Sequence, residues 1–188
     1  MMLESEKRII YISGRDGDAN KGLGGYLKQV DPNRIGLSAN KTFLKLTFEQ
    51  QVGVVKGLLD EFDGPNTSVV ANSYGAYLVL NALIEASKYQ CGVMLLSPAI
   101  GGVLKRDAMA YSRQPNSKVF DDALRLGKIT KPTYLSIHIG DQDGGYDKER
   151  FACFLNADLL NIIPNQGHLL ERTTVVNILQ SFLARRVV

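Results

Sequence analysis

A serine between small residues, a cluster of aspartates and a histidine behind a glycine occur in this 188-residue chain in that order. They are Ser73 within Ala71-Asn72-Ser73-Tyr74-Gly75, then Asp141, Asp143 and Asp147, then Gly167-His168. An alcohol is a poor nucleophile at neutral pH and needs a base within hydrogen-bond reach, itself oriented by a third group. Serine, histidine and a carboxylate supply those parts, and the reaction they serve is acyl transfer. A β-branched apolar run over 67–70 leads to Ser73, and small and apolar residues follow it. That pattern predicts a strand, a tight turn and a helix, a turn that lifts one hydroxyl above a sheet edge. Serine ahead of a helix is also an ordinary cap, so the rest of the chain has to decide between the two.

The chain has two histidines. His138 lies between Ile137 and Ile139 inside an apolar run, whereas His168 lies in a loop that follows one. The loop position makes His168 the candidate base and His138 a packed or sheet-facing residue. The orienting carboxylate is expected at the end of the preceding strand, in Gly140-Asp141-Gln142-Asp143, where spacing leaves Asp141 and Asp143 both open. Ser97, before Pro98, is expected to cap or line the pocket, without a chemical role.

Short apolar runs at 8–13, 34–39, 67–73, 91–98, 132–139 and 159–163 read as six strands. Helical patterns separate them. One passes through Tyr26, Leu27 and Val30; a second opens on the capping box of Thr47 and Gln50 and keeps Phe48, Val52, Val55, Leu59 and Phe62 on one face. A third, apolar nearly all round, runs from the serine turn to about Ala86; others cover 148–156 and the stretch holding Val175, Ile178, Leu179, Phe182 and Leu183. Alternating strands and helices predict an α/β protein, a three-layer α/β/α sandwich around a six-stranded parallel sheet in one domain over 1–188. Ligands bind such sheets at the carboxyl ends of the strands. The loops at Gly14, Ser73, Ser97, 141–143 and His168 all follow strands and so share that rim. The stretch 99–131 is long for a connection and amphipathic, which suits a small cap insertion.

Composition excludes several other classes. Hydrophobic residues make up 45% and charged residues 22%, as in an ordinary globule, and the net charge of +3 is scattered among acids. No basic stripe interleaved with aromatics suggests nucleic acid. The first residues lack the basic and apolar regions of a signal peptide, and no apolar segment is long enough to span a membrane, so a cytoplasmic protein is expected. Cys91 and Cys153 then read as reduced core residues. Asp16-x-Asp18-x-Asn20 has calcium-loop spacing, yet Lys21 stands where that loop needs glycine and Leu27 where it needs glutamate. Gly22-Leu23-Gly24 is followed by Leu27 where a dinucleotide fingerprint needs its third glycine.

Taken together, the motifs resemble a minimal α/β-hydrolase, similar in size and outline to small bacterial lipases and other compact serine hydrolases that lack the first two strands of larger members. Ala71-Asn72-Ser73-Tyr74-Gly75 matches the family's nucleophile elbow, with alanine at the first position as in those small lipases. Gly140-Asp141-Gln142-Asp143 resembles the family's Gly-x-x-Asp and favours Asp143 as the acid; Gly167-His168 before an amphipathic helix matches its histidine loop. The resemblance implies Ser73, Asp143 and His168 as catalytic residues and backbone N–H groups of Tyr74 and Arg15 as the oxyanion hole. The first loop departs from the family's His-Gly, having Ser13-Gly14-Arg15. The implied activity is cleavage of a carboxylic ester or thioester of a small to medium acyl substrate through an acyl-serine. No cofactor or metal is implied, the partner is a small-molecule substrate, and the chain is expected as monomer or homodimer. The alternative is a non-catalytic protein of the same fold that binds a ligand or a protein.

Overall fold

All six apolar runs become strands of a single sheet in the computed structural model, which describes residues 7–100, 114–144 and 148–185, with the backbone alone at Arg150 and Phe154. The strands are β1 (Arg8–Ile12), β2 (Ile35–Leu37), β3 (Thr67–Asn72), β4 (Gly92–Leu96), β5 (Tyr134–Gly140) and β6 (Leu159–Ile163). Every pairing is parallel and the order is β2-β1-β3-β4-β5-β6. The order reverses between β1 and β3, and their carboxyl ends therefore diverge into loops on opposite sides of a crevice. Ser73 follows β3 at that point.

Alternate side chains along each strand feed two cores, as a period of two requires. Ile10, Ile12, Val69 and Ala71 pack with α2 (Phe48–Phe62) and α3 (Tyr74–Ala82) on one face. Tyr11, Val70, Met94 and Leu96 pack on the other with α1 (Gly22–Val30) and α6 (Arg172–Ala184), through Leu27, Val175, Leu179 and Phe182. The result is the expected three-layer α/β/α arrangement. β4 is buried along its whole length, which explains its uninterrupted apolar sequence.

Helix starts follow their sequence signals more closely than helix ends. At α2 both capping-box bonds form: Gln50 N–H donates to Thr47 Oγ1 over 3.3 Å, and Thr47 N–H donates to Gln50 Oε1 over 2.9 Å. α3 is buried at every position but stops at Ala82, four residues before the expected Ala86. Tertiary pairing ends it: Ile84 bridges Ile129, Glu85 turns to a φ of 51°, and its N–H donates to the Lys128 carbonyl. β4 stops at Leu96 because Ser97 adopts a φ of 41° and Pro98 has no N–H for a ladder. Of the stretch 99–131 expected as a cap, 101–113 lies outside the described residues. Its α4 (Ser117–Arg125) joins the core through Phe120 and Leu124, with the Phe120 ring edge-on to Tyr77 at 5.2 Å. Cys91 is buried, and burial beside Asp63 pushes its thiol up to about 12. Cys153, expected in the core, instead lies on the exposed side of α5 (Lys148–Leu155), since Phe151, Ala152 and Leu155 form that helix's buried face.

Candidate active site

Strand β3 ends at Asn72, and the chain reverses into α3 through Ser73, whose φ of 51° and ψ of −116° fall outside the regions that L-residues prefer. Such a conformation costs on the order of 1–3 kcal/mol and persists only where its surroundings fix it. Here Ser73 N–H donates to the Leu96 carbonyl on β4, and the Ser73 carbonyl accepts from Tyr77 and Ala99 N–H groups. The turn also needs a close approach. A Cβ on Gly75 would lie 2.4 Å from the Ser13 carbonyl oxygen and 2.6 Å from that of Ile12, so only glycine lets α3 pass the end of β1.

Ser73 Oγ lies 2.8 Å from His168 Nε2, and His168 Nδ1 lies 3.1 Å and 3.3 Å from the two carboxylate oxygens of Asp143. With Nδ1–H donating to Asp143, Nε2 is the acceptor of the Ser73 hydroxyl proton. Asp143 is 2% exposed, His168 is half-buried, and Asp141 is exposed. Of the two open carboxylates, the structure thus brings Asp143 to the histidine. Asp147 lies outside the described residues. The carboxylate and imidazole sit on two loops locked to each other, because Gln142 N–H donates to the Gln166 carbonyl and Asp141 N–H to that of Ile163. Gln166 in turn ties its loop to α6: its Nε2 donates to Thr174 Oγ1 and its Oε1 accepts from Glu171 N–H.

The loop after β1 closes the other side of Ser73. Asn72 Oδ1 accepts from Tyr11 Oη at 2.9 Å and from Gly14 N–H at 3.0 Å. Burial raises the Tyr11 phenol to about 12, so it stays a donor. This clamp fixes the start of the loop that carries Arg15, whose N–H has no acceptor among the described residues. Tyr74 opens α3, and its N–H lacks a carbonyl one turn back to bond. Arg15, Ser73 and Tyr74 line the same cleft. The Arg15 guanidinium stacks 4.5 Å from the centre of the Tyr74 ring, and the Tyr74 hydroxyl donates to Gln51 Oε1. Ser73 and His168 open into a cleft of about 890 Å³ between α1 and the start of α6.

The sequence matches no protein-family model and no curated protein. Structures are more similar. The ydeN gene product from B. subtilis superposes with a TM-score of 0.63 at 16% identity, covering 96% of this chain and all of that one. Carboxylesterase CesB from Bacillus subtilis gives 0.65 at 14% identity over 97% of this chain and 85% of the other. The Paleococcus ferrophilus monoacylglycerol lipase gives 0.67 at 11% identity over 94% of each chain. This is an α/β-hydrolase fold.

Within the α/β-hydrolase fold, the structure brings Ser73, His168 and Asp143 into one chain of contacts, and Tyr74 and Arg15 line the cleft into which Ser73 opens. The structure keeps His138 apart. That ring is buried on β5, 3.3 Å from Asn161 Nδ2, and faces a separate cavity of about 270 Å³ beside α6. Among the described residues no cluster of metal-ligating side chains occurs, and Asp18 accepts the Asn20 N–H in a tight local turn. Sequence reasoning missed Asn72, Tyr11 and Gln166. Asn72 stands inside the elbow motif, but its partners follow from the β1–β3 register, which no local pattern carries. Ser97 lines the cleft as expected, with its buried Oγ lacking a partner among the described residues. No helix of the described residues is long and apolar enough to cross a membrane.

Proposed function

We propose that the chain is a serine hydrolase that cleaves a carboxylic ester or thioester of a small to medium acyl substrate through an acyl-serine intermediate. The carrying observation is the unbroken relay from the strained Ser73 through His168 to the buried carboxylate of Asp143. Ser73 Oγ attacks the acyl carbon while His168 Nε2 takes its proton, and Asp143 holds the imidazole in the accepting tautomer and offsets its charge. The developing oxyanion receives the Tyr74 and Arg15 N–H groups, whose value lies in being fixed before charge develops. His168 then gives its proton to the leaving alkoxide or thiolate. A water attacks the acyl-serine carbonyl, loses its proton to Nε2 and expels Ser73 Oγ, which regains that proton as the carboxylic acid leaves.

The likeness to a carboxylesterase and a monoacylglycerol lipase supports ester hydrolysis as the class of reaction. A fluorophosphonate probe tests the nucleophile directly. Wild type should be labelled at Ser73, found by peptide mass, and Ser73→Ala should not. Against p-nitrophenyl esters of increasing acyl length, Ser73→Ala should lose about four orders of magnitude or more in kcat. A wild type that is inert to both probe and esters would reject the reading.

A further inference from the structure

The charged residues that line the cleft, among those described, are Arg15, Lys21, Lys28 and Arg172, and no aspartate or glutamate lines it. Their positions are not scattered. Lys21 and Lys28 are seven residues apart, two turns along one side of α1, about 10 Å of helix axis. Arg172 begins α6 on the opposite wall, and Arg15 stands beside Ser73. Of the four, Lys21 alone has a carboxylate partner among the described residues, Asp18 at 3.6 Å. α1 adds to the same field, since no side chain caps it and Gly22 and Leu23, which open it, both line the cleft. Their unbonded N–H groups are the positive end of the helix.

Between the cations the walls are apolar. Leu23 and Tyr26 on α1 face Val175 and Val176 on α6. A cleft with walls of low polarity and fixed charge of one sign concentrates ligands of the other sign. Elsewhere on the surface, Lys56 is paired with Asp60, Lys118 with Asp122 and Lys131 with Asp158. In the cleft itself the four cations have one carboxylate partner among them, Asp18, and no acid among the described residues lines the walls.

We propose that the substrate is an anionic ester, with an apolar segment between the scissile carbonyl and a carboxylate or phosphate that Lys28 and Arg172 receive. The inference rests on the hydrolase reading for its assignment of the cleft to substrate. Binding to Ser73→Ala tests it without requiring turnover. By calorimetry the variant is titrated with monomethyl suberate, with dimethyl suberate as neutral counterpart, and with the methyl ester of an ω-phosphooxy acid of equal chain length. At about 0.01 M salt the monoanion should bind about tenfold or more tightly than the neutral diester, and the preference should shrink at about 1 M, where the screening length falls to about 3 Å. Adding Lys28→Glu and Arg172→Glu to Ser73→Ala should remove most of it. The tighter of the two anions tells carboxylate from phosphate. Equal binding, binding of neither, or a preference that salt and charge reversal leave alone overturns the proposal. Failure of the hydrolase reading would instead appear as wild type turning over neither ester.

Discussion

Asn72 links two parts of the site that are 58 residues apart in sequence, since one amide oxygen accepts both the Gly14 N–H and the Tyr11 hydroxyl. The contacts among Ser73, His168 and Asp143 do not involve that oxygen, so its loss should free mainly the loop that carries the Arg15 amide, the proposed oxyanion donor. An oxyanion donor that must be ordered during reaction contributes less than one already fixed, and loss of one such donor costs about a hundredfold or more. Asn72→Ala should therefore lower kcat for a p-nitrophenyl ester by about ten- to a hundredfold, the clamp being loosened rather than the donor deleted. KM should change much less, and Tyr11→Phe should fall between the variant and wild type. An unchanged kcat in Asn72→Ala would mean that the loop is held without the clamp. At this scale standing after a strand was enough to single out Ser73 and His168, which the structure brings within hydrogen-bond reach, whereas position left Asp141 and Asp143 open and only the resemblance favoured Asp143. The sequence was silent on Asn72, Tyr11 and Gln166, whose partners are set by strand register and loop packing.

Elements are held at the rim by close backbone approach, and β5 shows how narrow the tolerance is. A Cβ on Gly140 would sit 2.0 Å from the Gln166 carbonyl oxygen, the acceptor that fastens Gln142 and hence the loop bearing Asp143. Gly140→Ala must push apart the end of β5 and the segment leading to His168. Overpacking of this kind costs about 1–3 kcal/mol, and here the displacement falls on the two loops of the relay, so urea unfolding should show lower stability and esterase assays lower kcat. Gly57 in α2 is the opposite case, exposed and with nothing within 4 Å of an added Cβ. Gly57→Ala should raise stability by about 0.5–1 kcal/mol, the difference in helix propensity, with activity unchanged. Opposite signs for the same substitution would separate close approach from propensity. Element identities and starts could be read from periodicity and capping, as α2 shows. The end of α3 could not, because the bridge from Ile84 to Ile129 that stops it joins residues 45 apart.

For the whole molecule, alternation of apolar runs with amphipathic stretches was enough to predict six parallel strands between helix layers, because a sheet buried on both faces leaves that signature. What alternation does not carry is which side chains are buried without a charge partner, and His138 is the consequential one. It sits inside β5, 3% exposed, and burial alone lowers its pKa from 6.5 to about 4. If Asn161 Nδ2 donates to Nδ1, the neutral ring carries its proton on Nε2, and charging it would set two donors against each other. The unfolded chain gains a proton on this histidine as pH falls through 6.5, whereas the folded chain resists until about pH 4. Stability is thus fully present above pH 6.5 and falls between 6.5 and 4 at up to about 1.4 kcal/mol per pH unit, roughly 3 kcal/mol in all from this group. Below pH 4 both states hold the proton and its contribution is spent. Urea unfolding of wild type and His138→Gln at pH 7.0, 6.0, 5.0 and about 4.5 isolates that share, since the other groups titrate alike in both proteins. The variant should start less stable at pH 7, where a packed ring has been lost, and its curve should be flatter, closing on wild type as pH falls. Parallel curves would mean that the folded protein takes up the proton at His138 as readily as the unfolded chain.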